Sequence, residues 1–185
     1  MVYKNRVVQR FFVALIPPEP WLSFFETIKK ELELSFGLHA AQRAPAHITV
    51  HRPFIWNIEK KEFLIERFLH FSFHSFTCRI NGYDVFEKNR VLYARPESNE
   101  ELQLLYRQFV DFAALQWNIT TEKNHNRPFH PHITLAFRDV TPEVFEQLKK
   151  IFSHRELRAD IPFSTLYLLE WKSVKWEPVA ELHGS

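Results

Sequence analysis

One short word occurs twice in the chain: "HITV" begins at His47 and "HITL" at His132. In an extended strand residues i and i+2 share a face, so each copy turns an imidazole and a hydroxyl one way and two aliphatic side chains the other. His47 and Thr49 oppose Ile48 and Val50, and His132 and Thr134 oppose Ile133 and Leu135. Such a strand needs a helix-covered core on its apolar side and an opening on its polar side. If a pseudo-two-fold axis relates the copies, both polar faces converge on one cleft.

The surroundings of the word repeat as well. Residues 7–16 are rich in β-branched and aromatic side chains, stop at Pro17-Pro18, and predict a strand. Trp21, Phe24, Phe25, Ile28, Leu32 and Phe36 then follow a helical period that Gly37 ends. The first motif strand finishes before Pro53. "EKKEFLIERFLH" sets Phe63, Leu64, Arg67 and Phe68 at helical spacing, and "FSFHSFTCRING" predicts a strand running to a turn at Asn81-Gly82. "YDVFEKNRVLYARP" reads as a hairpin around Lys88-Asn89. Ser98 as N-cap, with Glu101 three residues later as its capping-box partner, opens the next helix. After "HPHITLAF" comes a helix opening on Thr141 with proline in its first turn, and residues 157–179 are mostly strand. The order β-α-β-α-β-β is thus read twice. "VALIPPE" from Val13 and "LYARPE" from Leu92 begin corresponding strands, each ending at a proline before a helix.

Composition narrows the function classes. A chain of 185 residues, 45% hydrophobic, is long enough to bury one substantial core. Only 3 glycines are present, and no P-loop or dinucleotide fingerprint. A formal charge of +2 sets up no global field for nucleic acid, so any anion site must be local, as around Arg43 or Arg127. The single Cys78 has no internal disulfide partner and reads as a small core residue, which fits a cytoplasmic protein. "FFVALI" is too short to span a membrane and is followed by "PPEP" rather than a small-residue cleavage site.

Two opposed imidazoles suit a phosphodiester displacement: one takes a proton from the attacking hydroxyl or water, and the other gives a proton to the departing oxygen. Histidine's unperturbed pKa near ~6.5 lets either form be populated near neutrality. The threonine hydroxyls beside them can donate hydrogen bonds to non-bridging phosphate oxygens. This chemistry requires neither metal nor cofactor. Zinc is the first rival, since His47 and His51 are four apart and His130 accompanies His132; but that spacing builds a metal pair on a helix, and no HExxH or cysteine pair is present. The second rival is a non-catalytic RNA-end or nucleotide binder, with Phe129 or Tyr93 stacking on bases.

At these residues the sequence resembles the 2H phosphoesterase superfamily, and within it the 2'-5' RNA ligase-like proteins and RNA 2',3'-cyclic phosphodiesterases. "RFFVALIPP", "PAHITVHRPF", "RVLYARPE" and "PFHPHITLAF" carry the likeness across nearly the whole chain. The resemblance implies a bilobal α+β fold with two antiparallel sheets around a central cleft and helices outside. It also implies one domain over 1–185, with pseudo-repeats at roughly 1–88 and 89–185. It implies metal-independent action on RNA 3' ends or nucleotide cyclic phosphates, with His47, Thr49, His132 and Thr134 catalytic. The chain is expected to act as a monomer without a membrane partner. By the family's usual order the first histidine protonates the leaving 3' oxygen and the second activates water; the residues alone leave that order open. His51 and Arg138 share strand parity with the catalytic pairs and are candidate phosphate contacts at the cleft rim, with Arg127 and Phe129 as further substrate-binding candidates. Phe137 between the second motif and Arg138 departs from the usual pattern, as does His51 after the first.

Overall fold

Strand β1 (Val8–Leu15) lies at the centre of one half of the sheet and is buried on both faces, which is why it reads as an unbroken apolar run. Phe11, Val13 and Leu15 enter the main core, while Phe12 and Ala14 enter a small cluster on the opposite face. The computed structural model describes residues 7–97, 99–120 and 128–185. Helix α1 (Trp21–Phe36) follows, and Gly37 ends it in the left-handed conformation, at φ 68°, donating its N–H to the Glu33 carbonyl. Next come β2 (Ile48–Asn57), α2 (Lys61–Leu69), β3 (Phe76–Phe86), β4 (Val91–Pro96) and α3 (Glu100–Trp117). The chain closes with β5 (Ile133–Ala136), α4 (Pro142–Phe152), β6 (Arg158–Phe163), β7 (Thr165–Lys172) and β8 (Lys175–His183).

Three local expectations change. Strand β2 does not finish before Pro53 but runs through it to Asn57, the proline falling in the irregular stretch between the Val13–His51 and Phe11–Phe54 pairings. The N-cap of α3 is Asn99, whose side-chain oxygen accepts from Leu102 N–H at 2.8 Å; Ser98 lies outside the described residues. With the cap shifted by one, Leu102 occupies the third helical position and Glu101 makes no capping box. The segment from Phe71 is irregular until Phe76, and from there a single strand continues through Asn81-Gly82 to Phe86. A register irregularity between Ile80 and Tyr83 absorbs Gly82, at φ 74°. The α4 cap is as expected: Thr141 accepts from Val144 N–H, and Pro142 opens the helix.

The fold is α+β. All eight strands join one antiparallel sheet in the order β6-β3-β4-β5-β2-β1-β7-β8, where two separate sheets were expected. The join is narrow, a single pairing of Ile48 with Ile133 between β2 and β5. Both are fully buried, and each contributes roughly 2–3 kcal/mol of transfer free energy. The helices brace this seam crosswise. Helix α1, which leads into the first motif, packs on β5, and α3 packs on β2. Among the described residues no helix is long and apolar enough to cross a membrane.

Candidate active site

Each motif histidine immediately precedes its strand, at the seam. The antiparallel Ile48–Ile133 register, continued by one residue either way, sets His47 opposite Thr134 and Thr49 opposite His132. Directly opposed residues share a face. All four line one cleft of about 470 Å³ on the side away from the helices.

The two imidazoles are held in the same way. His47 Nδ1 donates to the Pro45 carbonyl at 2.6 Å, and His132 Nδ1 donates to the His130 carbonyl at 2.8 Å. A carbonyl only accepts, so each Nδ1 carries the hydrogen and each Nε2 is left to the cleft. The proline before each histidine, Pro131 and the nearby Pro45, stiffens the turn that presents this carbonyl.

Behind His47 stands an ion pair from α1 whose lysine is buried and whose glutamate is partly exposed. The Lys29 ammonium meets both Glu26 carboxylate oxygens, at 2.8 and 2.9 Å, and the Ala44 carbonyl at 2.7 Å. Glu26 also accepts from Ala46 N–H at 2.6 Å. The pair therefore grips residues 44 and 46 on either side of the carbonyl that orients His47. Burial lowers the Lys29 pKa, which Glu26 partly restores.

Burial also pushes the His47 pKa down to about 4; the Pro45 carbonyl opposes this, while the charges of Lys29 and His132 add to it. Burial lowers His132 too, against its bond to the His130 carbonyl. Both imidazoles are thus biased toward the neutral form, His47 the more firmly.

Three arginines line the cleft, Arg10, Arg43 and Arg138, and no carboxylate does so among the described residues. This local positive potential is what a phosphate needs and what the near-zero global charge concealed. Arg138 reaches the cleft by a route other than strand parity. Strand β5 ends at Ala136, and Arg138 turns out of it in the left-handed conformation, at φ 68°, with its guanidinium 5.1 Å from the Phe137 ring centroid. Asp139 fixes this turn to the opposite rim: its carboxylate accepts from the His39 and Ala40 N–H groups, at 2.7 and 2.8 Å. Those residues open the short 3-10 turn Ala40–Arg43, so one carboxylate couples the loops that carry Arg43 and Arg138.

Two candidates are displaced. His51 is buried in the core, edge-on to Phe54 at 5.3 Å and Phe109 at 6.3 Å. The cause is a β-bulge: Ala14 pairs with Thr49 and Val13 with His51, so two steps of β2 oppose one of β1 and the parity flips. Phe129 lies on the core as well, stacked on Tyr106 at 4.0 Å and 3°. Arg127 lies outside the described residues. Tyr93 packs at 5.6 Å against His132, with its hydroxyl 3.3 Å from His130 Nε2. Cys78 is buried, its thiol pushed up to about 11 by that burial, which leaves no nucleophile there.

His47 and His51 face opposite sides of the sheet and cannot share an ion. Among the described residues no three His, Cys, Asp or Glu side chains are grouped to hold a metal. Sequence reading missed Arg10, Phe12, Trp171 and Trp176 in the cleft wall. For Phe12 the signal was present, since in a strand buried on both faces it shares parity with Ala14, the partner of Thr49.

A duplicated His-x-Thr seam, with both Nε2 atoms open to one basic cleft, defines a two-histidine site in a single antiparallel sheet. The sequence pattern of the 2'-5' RNA ligase superfamily matches residues 16–175, and the chain belongs to that family, among the 2H phosphoesterases. No curated protein matches the sequence significantly. Among solved structures, Escherichia coli LigT complexed with 3'-AMP superposes with a TM-score of 0.65 at 19% identity, covering 97% of this chain and 99% of that one. A structure described as a phosphoesterase gives 0.60 at 17%, covering 97% and 99%, and the protein TT0787 of Thermus thermophilus gives 0.60 at 19%, covering 94% and 97%. These likenesses establish the fold.

Proposed function

We propose that the protein is a metal-independent phosphodiesterase acting on 2',3'-cyclic phosphate, or 2'-5' linked, ends of RNA or nucleotides, as a cytoplasmic monomer. One observation carries this reading: both imidazoles have Nδ1 tied to a backbone carbonyl, which leaves two Nε2 atoms facing a cleft lined by three arginines. The nucleotide seen in LigT, 3'-AMP, is of the chemical class such a cleft accepts.

In hydrolysis of a cyclic end, water attacks phosphorus and loses its proton to one neutral imidazole. The P–O3' bond breaks, and the other imidazole, protonated, gives its proton to O3'. The product is a 2'-phosphate, and the protons exchange with solvent before the next cycle. Thr49 and Thr134 donate to the non-bridging oxygens, where charge builds. The environments favour His47 as base, because deeper enclosure, with a smaller push from Lys29, keeps it neutral, and His132 as the acid, once an anion in the cleft draws a proton onto it. This reverses the order that the family resemblance implies.

The test is to offer the purified protein, with chelator present, nucleoside 2',3'-cyclic phosphates and an RNA with a 2',3'-cyclic end, and to identify the product isomer. Release of a 2'-phosphate is expected. Absence of turnover on all of them sinks the reading and leaves a nucleotide-binding cleft.

A further inference from the structure

Resting on that reading, we propose that Trp171, Trp176 and Arg10 form a second stacking subsite, which holds the base of the nucleotide preceding the reacting end of a single-stranded RNA. The rings form a continuous path out of the catalytic centre. Phe12 lies 4.9 Å from His47, Trp176 meets Phe12 edge-on at 4.7 Å, and Trp171 lies 5.4 Å beyond Trp176. The Arg10 guanidinium sits over both indoles, 4.8 Å from Trp171 and 5.6 Å from Trp176.

This wall stands on the cleft face of β1, β7 and β8, away from the main core. Only a small buried cluster of Phe12, Ala14 and Leu169 supports it, and both tryptophans stay partly exposed. Among the described residues no carboxylate pairs with Arg10, so its charge is available to a backbone phosphate. Aromatic faces beside an unneutralised cation, continuous with a phosphate-binding centre, are what single-stranded nucleic acid uses for sequence-tolerant binding. A mononucleotide at the histidines does not need a platform two rings further out. The substrate class this points to is an oligonucleotide end. Trp171 and Trp176 are also a directly opposed cross-strand pair near the β7–β8 turn, so they help hold that hairpin, and the test must read binding as well as stability.

The experiment measures dissociation constants of the intact protein, by intrinsic tryptophan fluorescence, for adenosine 2'-monophosphate and for a single-stranded triadenylate ending in 2'-phosphate. The trinucleotide is expected to bind at least about tenfold more tightly, since one stacked base contributes roughly that factor or more. Trp171→Ala and Arg10→Ala should each bring the two constants closer together, with thermal unfolding recorded alongside. Should Trp171→Ala unfold the hairpin, Arg10→Ala, an exposed position, still reads the subsite. A blunt duplex with the same 2'-phosphate end is expected to bind no better than the mononucleotide, because its bases stay paired. Equal affinity for the two single-stranded ligands, or a length preference that both variants retain, overturns the proposal. Length-dependent binding without turnover of cyclic phosphates sinks the hydrolase reading alone, whereas turnover without length dependence sinks the stacking subsite alone.

Discussion

The two halves of the site present the same imidazole in the same way and surround it differently. Beside Thr49 the neighbouring strand places Ala14; beside Thr134 the corresponding partner is Tyr93. The small residue leaves the first half open toward Phe12 and the tryptophan wall. The large one closes the second half, where Phe86 at 5.1 Å and Tyr93 pack edge-on against His132. The strands also continue differently. The first bulges and sends His51 into the core, and the second stops and sends Arg138 into the cleft. The likeness of the two halves is therefore confined to the three residues of each motif, and what flanks them differs; on the proposed reading, one side receives the substrate's bases and the other anchors its phosphate.

The largest effects test the shared part. His47→Ala and His132→Ala are each expected to lower kcat/KM by at least ~10²-fold while thermal unfolding stays nearly unchanged. Loss of folding along with activity would favour a structural role instead. The difference between the halves appears with a p-nitrophenyl phosphodiester, whose phenolate departs without needing a proton. His132→Ala should recover much of its lost rate on that substrate, and His47→Ala should not. The opposite pattern restores the order implied by the family resemblance.

A smaller effect tests the residues that follow each motif. Arg138→Ala is expected to raise KM about tenfold with stability changed by less than ~0.5 kcal/mol, because an exposed guanidinium on the cleft rim holds substrate and little else. His51→Ala is expected to do the reverse, costing about 2–3 kcal/mol in denaturant unfolding, through the cavity it leaves among Phe54 and Phe109, with KM unchanged. A raised KM in the His51 variant would mean that the bulge does not isolate that residue from the cleft.

Those two residues also show how far the sequence could be read. Strand alternation placed His47, Thr49, His132 and Thr134 in the cleft, because those positions directly adjoin the one Ile48–Ile133 pairing and precede the bulge. It failed for His51, since a bulge is one extra residue opposite β1, and nothing in "HITVHRPF" marks where that residue sits. Arg138 reached the cleft through a left-handed turn rather than through parity. The single sheet was hidden for a related reason: one residue pair joins the halves, too little for a periodicity to reveal. Arg10, Trp171 and Trp176 were invisible as a group because residues far apart in sequence meet only when β7 and β8 are laid beside β1. Local pattern gave the motif strands and most helices, and long-range pairing made the wall.

The smallest effect separates the two imidazoles by their charge. A histidine whose folded pKa is depressed favours the neutral form in the native state, so the unfolded chain takes up the proton first. The stability associated with the neutral ring is fully present above the ordinary value of 6.5 and is lost as pH falls toward the folded value, about 4 for His47. His132 acts in the same direction, but Lys29 disfavours a charge on His47 alone. His47→Gln, which cannot titrate, is therefore expected to flatten the fall in stability between pH 6.5 and 4 more than His132→Gln does. Inorganic phosphate should shrink that difference, because an anion between the rings favours both imidazolium forms and draws the folded pKa values back up. Thermal unfolding across that pH window, with and without phosphate, reads the effect directly. Equal flattening by the two variants would mean that Lys29 grips the backbone before His47 without acting on its charge, and the assignment of His47 as base would lose its electrostatic support.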